Sequence, residues 1–215
     1  MNENGINTKE RILQAAEELF FRYGIRSITM DDIARHLSVS KKTLYRYFED
    51  KDQIVATLTK FDIAESERCS AEIAKQSRDP VDEILQSMEY LTRKISGWHP
   101  SMIYDLQKYH PKSWGEVRKF SQEYMLNAVV RNLRRGIRQG IYRSNLNILI
   151  LARLRIEQVS LAMNPEIYPP SQFDLKKVEW ELLNHFLHGI LTDKGRKLLE
   201  MYESSGKSKK QKIVA

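Results

Sequence analysis

Three helix-start signals and a turn crowd into the stretch from Thr29 to Gln53, and they confine it to short, separately capped helices. Thr29, with Asp32 three residues on, has the pattern of a capping box: a hydroxyl for the helix's third N–H and a carboxylate that reaches back to the cap. The helix it opens is predicted to run through Leu37. Ser38-Val39-Ser40 reads as a turn, and Ser40 caps a helix to about Phe48. Asp50 and Gln53 form another cap-like pair, so a fourth helix is predicted to start at Lys51. Ahead of these, Ile12, Ala16, Leu19, Phe20 and Tyr23 recur at helical spacing and give a first helix one apolar face. Asn7 or Thr8 is its expected cap, and Gly24 its expected end.

The rest of the chain also reads as helical, with no convincing period-2 strand and no internal repeat. Proline fits a helix's first turn but not its interior. Asp79-Pro80, His99-Pro100, His110-Pro111, Asn164-Pro165 and Pro169-Pro170 therefore divide the body into several helices. The longest is expected from about Ser113 to Gln139, with a gap at Gly140; two apolar helices follow, over about 146–163 and 172–191. From about Ser204 the sequence SSGKSKKQKIVA holds too little apolar surface to offset the entropy of ordering, and disorder is expected there.

Composition removes several classes. Apolar residues are 41% and charged residues 29% of the 215, the balance of a chain that buries a core. No apolar run reaches the roughly 20 residues that span a bilayer, and the polar N-terminus has no signal-peptide stretch. Cys69 stands alone and cannot form an intramolecular disulfide, so a reducing cytoplasm is the expected compartment. The net charge of +7 says little about nucleic acid by itself: ten Lys/Arg face nine Asp/Glu through Lys60, and four lysines lie beyond Gly206. There is no Gly-rich phosphate loop, nucleophile motif or His/Asp/Cys constellation, which argues against an enzyme and a cofactor.

Two short helices joined by a three-residue turn are the signature of a helix-turn-helix, whose second helix enters the DNA major groove. Ala34 is small where the two helices approach, while Ile33, Leu37, Val39 and Leu44 supply the apolar contacts. Outward on the third helix remain Lys41, Lys42, Thr43, Arg46 and Tyr47, with Tyr45 beside them: cations, hydroxyls and aromatics suited to phosphates and base edges.

The stretch Ile28-Thr-Met-Asp-Asp-Ile-Ala-Arg-His-Leu-Ser-Val-Ser-Lys-Lys-Thr-Leu-Tyr-Arg-Tyr-Phe-Glu-Asp-Lys51 resembles the N-terminal domain of TetR/AcrR-type transcriptional regulators, and the resemblance covers about residues 8 to 58. It implies that Lys42 and Thr43, with Lys41 nearby, face base edges, and that Tyr45 and Tyr47 grip phosphates. It implies that Lys51 pairs with a phosphate at the start of the fourth helix, and that Thr29 caps the second helix close to the backbone. The chain departs from the pattern at Ser38, where glycine is common, at Tyr47, where histidine is frequent, and at Arg46, where an aromatic is frequent.

The expected fold class is thus all-α: an N-terminal three-helix helix-turn-helix domain over 1–50, a C-terminal helical effector-binding and dimerisation domain over 51–203, and a basic tail over 204–215. The resemblance implies a homodimer through the last two apolar helices, with Leu151, Leu154, Val178, Leu182, Phe186 and Ile190 at the interface. It implies a small apolar effector among Met88, Leu91, Trp98, Met102, Leu106, Trp114, Phe120 and Tyr124. The expected function is a ligand-responsive repressor on a palindromic operator in double-stranded DNA; the alternative is an architectural or division-associated DNA binder without an effector. Arg131, Arg134, Arg135 and Arg138 form a stripe at helical spacing that reads as a solvated face. His185 and His188 lack further ligands at metal spacing, and no metal is expected.

Overall fold

The computed structural model describes residues 3–211, with side chains from Thr8 to Ser204. Its helices are α1 (Glu3–Tyr23), α2 (Met30–His36), α3 (Lys41–Tyr47), α4 (Lys51–Gln76), α5 (Pro80–Ile95), α6 (Met102–Tyr109), α7 (Pro111–Phe120), a π turn (Ser121–Met125), α8 (Leu126–Arg138), α9 (Ile148–Ala162), α10 (Leu175–Ile190) and α11 (Asp193–Gln211). Among the described residues there is no strand, only an isolated antiparallel bridge between Tyr142 and Leu191. None of their helices is long and apolar enough to cross a membrane. The chain forms two compact units, residues 1–67 with 95–120 and residues 68–94 with 121–215.

The first unit is built on α1 to α3. Its core gathers Ile12, Ala16 and Phe20 of α1, Ile33 and Ala34 of α2, Leu44 and Phe48 around α3, and Ile54 and Val55 of α4. The 3.6-residue period dictates this: each short helix turns one apolar stripe inward. α1 ends at Gly24, whose φ of 81° is left-handed and whose N–H donates to the Phe20 carbonyl at 2.9 Å. A side chain is excluded there twice over, because a Cβ would also stand 2.5 Å from the Ser101 Oγ. At the other end of α1 the backbone is helical from Glu3. Asn7 and Thr8 lie inside the helix rather than capping it, since no proline stops the preceding turn.

In the second unit α9 packs against both α8 and α10. Val81, Leu133, Ala152, Leu183, Phe186, Leu187, Ile190 and Leu199 meet in its core with Tyr142. Tyr142 needs Gly136: a Cβ at 136 would lie 2.0 Å from the tyrosine ring. The Tyr142 hydroxyl donates to Asn132 at 3.0 Å, and Asn132 donates to the Pro80 carbonyl and the Glu83 carboxylate, each at 2.9 Å. Arg135 adds an ion pair to Glu83 at 3.4 Å, while Arg131, Arg134 and Arg138 lie exposed beside a shallow groove that includes Ile137 and Ile148.

Two boundaries differ from the sequence reading. The long helix expected from Ser113 to Gln139 starts earlier, with Pro111 in the first turn of α7, and is interrupted by the π turn. An i→i+5 stretch of five residues leaves no mark on a 3.6-residue hydrophobic period. The last helix carries regular backbone to Gln211, past the expected end of order near Ser204, because a helix closes its backbone hydrogen bonds within itself. Residues 212–215 of the expected tail lie outside the described residues.

Candidate nucleic-acid interface

α2 and α3 are joined by a turn whose geometry follows from its backbone bonds. Leu37 is the C-cap of α2. Beyond it the Ser38 N–H donates to the Arg35 carbonyl at 3.1 Å and the Val39 N–H to the Ala34 carbonyl at 3.0 Å. These are the two bonds of a Schellman motif, which requires a left-handed residue between them, and Ser38 has a φ of 56°. Val39 packs on the core and supplies the apolar contact that accompanies such a turn. The serine holds a conformation that glycine would adopt without strain.

Both helices start on hydroxyls. Thr29 accepts from the Asp32 N–H at 3.2 Å, and its own N–H donates to the Asp32 carboxylate at 3.0 Å, the reciprocal capping box. Hydrogen bonding from the Thr29 hydroxyl and N–H holds the Asp32 carboxyl below its ordinary range. Ser40 accepts from the Thr43 N–H at 3.1 Å, and its hydroxyl lies 2.8 Å from the Thr43 hydroxyl. Leu44 and Phe48 point into the core, so Lys41, Lys42, Tyr45 and Arg46 project into solvent, with Thr43 and Tyr47 half-buried at the edges. Lys41 is drawn toward α2 by an ion pair with Asp31. Tyr47 packs against the core cluster, which leaves Lys42, Tyr45 and Arg46 as the most accessible group on α3.

Lys51 is placed differently from its neighbours. Its ammonium donates to the carbonyl oxygens of Ile28 at 2.8 Å and Ile25 at 3.0 Å. Burial lowers its pKa, against the opposing pull of the Asp105 and Asp52 carboxylates. The same segment is held from α6: the Arg26 N–H donates to Asp105 at 3.0 Å, and Ser101 bridges Asp105 and His99 at 3.0 and 2.9 Å. His110 contacts Asp52 in the first turn of α4 at 2.5 Å. Sequence reading did not attach Asp105 or His110 to the head. An aspartate set between Tyr104 and Leu106 is the only trace of it in the sequence.

The other residues singled out from the sequence are scattered. Trp98 stacks on Phe21 with ring centroids 5.5 Å apart, and Met102 and Leu106 pack on the core of the first unit. Met88 packs on the core of the second; Leu91, Trp114, Phe120 and Tyr124 are half-buried. Of the residues expected at a dimer interface, Val178, Phe186 and Ile190 are buried within the protomer, on the face of α10 that also buries Glu179. Leu151 and Leu182 are half-buried and Leu154 is exposed. Leu149, Ile150, Leu154 and Leu161 of α9 face outward.

Comparison with known proteins agrees with this geometry. Residues 12–58 match the N-terminal model of the bacterial regulatory proteins of the tetR family. The chain is 27% identical over 185 residues to YvaF of Bacillus subtilis, an uncharacterized HTH-type transcriptional regulator, covering 86% of this chain and 96% of that one. Its fold is similar to a TetR-family transcriptional regulator from Agrobacterium tumefaciens, with a TM-score of 0.72 at 20% identity over 86% of this chain and 98% of that one. A regulator from Saccharomonospora viridis, solved in complex with choline, gives the same TM-score at 17% identity, again over 86% and 98% of the two chains. Residues 12–58 thus carry a tetR-type helix-turn-helix domain, and the chain is similar over most of its length to helix-turn-helix transcriptional regulators.

Proposed function

We propose that this regulator is a ligand-responsive repressor that binds a palindromic operator as a homodimer. The observation that carries the DNA half is the exposed face of α3, where Lys42, Tyr45 and Arg46 stand together on a helix fixed by the Schellman turn at Ser38. In this reading Lys42 and Thr43 meet base edges and Lys41 approaches them. Tyr45, Arg46 and Tyr47 take phosphates, and Thr29 brings the start of α2 to the backbone. Lys51 acts one step back, by holding the Ile25–Ile28 carbonyls, and the N–H groups at the start of α4 remain for a phosphate.

One recognition helix makes few base contacts, and symmetry doubles them. The exposed Ile150, Leu154 and Leu161 lie along one side of α9 at i, i+4 and i+11, and they supply the apolar surface for a second copy. The effector half rests on family likeness, including the neighbour that holds choline. A ligand changes DNA affinity only by as much as it distinguishes the two arrangements of the heads.

The deciding experiment is selection of the purified full-length protein against random duplexes at physiological salt. Enrichment of a palindrome whose half-sites lie about one helical turn apart, or a multiple of it, supports the dimeric reader. Binding without an enriched sequence would replace it by an architectural role.

A further inference from the structure

Buried polar atoms are almost always hydrogen-bonded, and three buried side chains on α9 and α10 carry atoms that are not. Arg155, Gln158 and Glu179 are 8%, 7% and 0% exposed. The Arg155 Nη2 lies 3.9 Å from the Glu179 carboxylate, close enough for charge attraction and too far for a hydrogen bond. The Arg155 Nη1, the Gln158 Oε1 and both carboxylate oxygens of Glu179 have no hydrogen-bond partner among the described residues. Arg155 and Gln158 share one face of α9 by their i, i+3 spacing, and α9 packs on α10 and on the π turn. An interrupted helix of that kind often borders a functional site.

The unmet groups specify what would satisfy them. There are three acceptor oxygens, on Gln158 and Glu179, and one guanidinium nitrogen seeking an acceptor. With Glu179 ionised, the Arg155–Glu179 pair is neutral. A lone carboxylate would face Glu179, and a lone cation would face Arg155, each at a distance where a like charge is costly in a dry site. A hydrocarbon would leave all four atoms unmet. An ammonium offers three N–H donors and a carboxylate accepts from the guanidinium, and the two together add no net charge.

We propose that Arg155, Gln158 and Glu179 bind the zwitterionic head of an amino-acid-like effector, with its ammonium on Glu179 and Gln158 and its carboxylate on Arg155. This rests on reading the second unit as the effector-binding part of the regulator. Burial pushes the Glu179 carboxyl up to about 7, so an arriving ammonium draws off the proton that Glu179 carries near neutral pH, and binding releases protons to the buffer.

The test is calorimetry and thermal shift on the full-length protein at pH 7. The probes are L-leucine, L-methionine and L-phenylalanine, each beside the analogue lacking its amino group and the analogue lacking its carboxylate. The expected result is that at least one zwitterion raises the melting temperature, releases protons on binding, and binds at least tenfold tighter than both of its analogues. Glu179→Gln and Arg155→Gln should each abolish that preference. Analogues that bind as tightly as the zwitterions, or no binding by any of the three amino acids, would overturn the assignment using the wild-type protein alone. Release from the selected operator is read separately. A zwitterion that binds without releasing DNA leaves the site standing and removes the effector reading. DNA release by a ligand that shows no zwitterion preference removes the site and leaves that reading.

Discussion

The Lys51 ammonium donates to the Ile28 carbonyl at 2.8 Å, which ties the first residue of α4 to the residue just ahead of the α2 cap. A cation that family likeness assigns to phosphate is thereby engaged inside the head. Removing it strands carbonyls of a half-buried segment, at a cost of about 1–3 kcal/mol. Lys51→Ala should therefore lower the urea midpoint and weaken DNA binding together. The slope of log affinity against log salt should fall by clearly less than the roughly 0.9 expected for one lost phosphate contact. Unchanged stability with a full loss of that slope would put the ammonium on DNA.

Ser38 holds a φ of 56° between the two bonds of the Schellman turn. Left-handed backbone costs a non-glycine residue about 1–2 kcal/mol, partly offset by the greater chain entropy of glycine when unfolded. Ser38→Gly should stabilise the head by about 0.5–1 kcal/mol, and Ser38→Val should destabilise it by more than that. Denaturant titration of the three proteins decides; a Ser38→Gly variant less stable than wild type would mean that the serine hydroxyl contributes more than the strain.

On α3 the exposed and half-buried residues predict two kinds of loss. Lys42→Ala and Thr43→Ala should change the enriched sequence in a duplex selection, each lost base contact being worth about 1–3 kcal/mol of discrimination. Tyr45→Phe should weaken binding to all duplexes alike, because only a phosphate-directed hydroxyl is removed. Swapped outcomes would rotate α3 relative to the groove.

What was legible in the sequence follows from the range of the interactions involved. Thr29 with Asp32, Ser40 with Thr43 and Gly24 at the end of α1 are contacts within a few residues, and each is found where local chemistry places it. The fold class and the α2–α3 pair were readable for the same reason. Lys51 on Ile25 and Ile28, Asp105 on Arg26 and His110 on Asp52 join residues that are far apart in the chain, and no period or cap signals them. Which side of α10 meets a partner was not legible, because an apolar stripe has the same spacing whether it meets its own protomer or another. On α9, exposure rather than spacing shows that Leu149, Ile150, Leu154 and Leu161 face outward.

The Arg155–Glu179 pair makes stability depend on pH in an unusual direction. Desolvation raises the Glu179 carboxyl from 4.5 to about 7, and the nearby Arg155 guanidinium opposes this only in part. Between these two values the folded state keeps a proton that the unfolded chain has lost. Stability must then fall as pH rises through that window, on the order of 1 kcal/mol per pH unit; below pH 4.5 both states carry the proton and the effect vanishes. Glu179→Gln has no carboxyl to ionise and should lack this decline. The measurement is the difference between wild-type and Glu179→Gln unfolding free energies from pH 5 to pH 8, which cancels the other titrating groups. It should move steadily against the wild type as pH rises and level off above pH 7. A flat difference would mean that Glu179 is ionised throughout, with Arg155 compensating its burial in full.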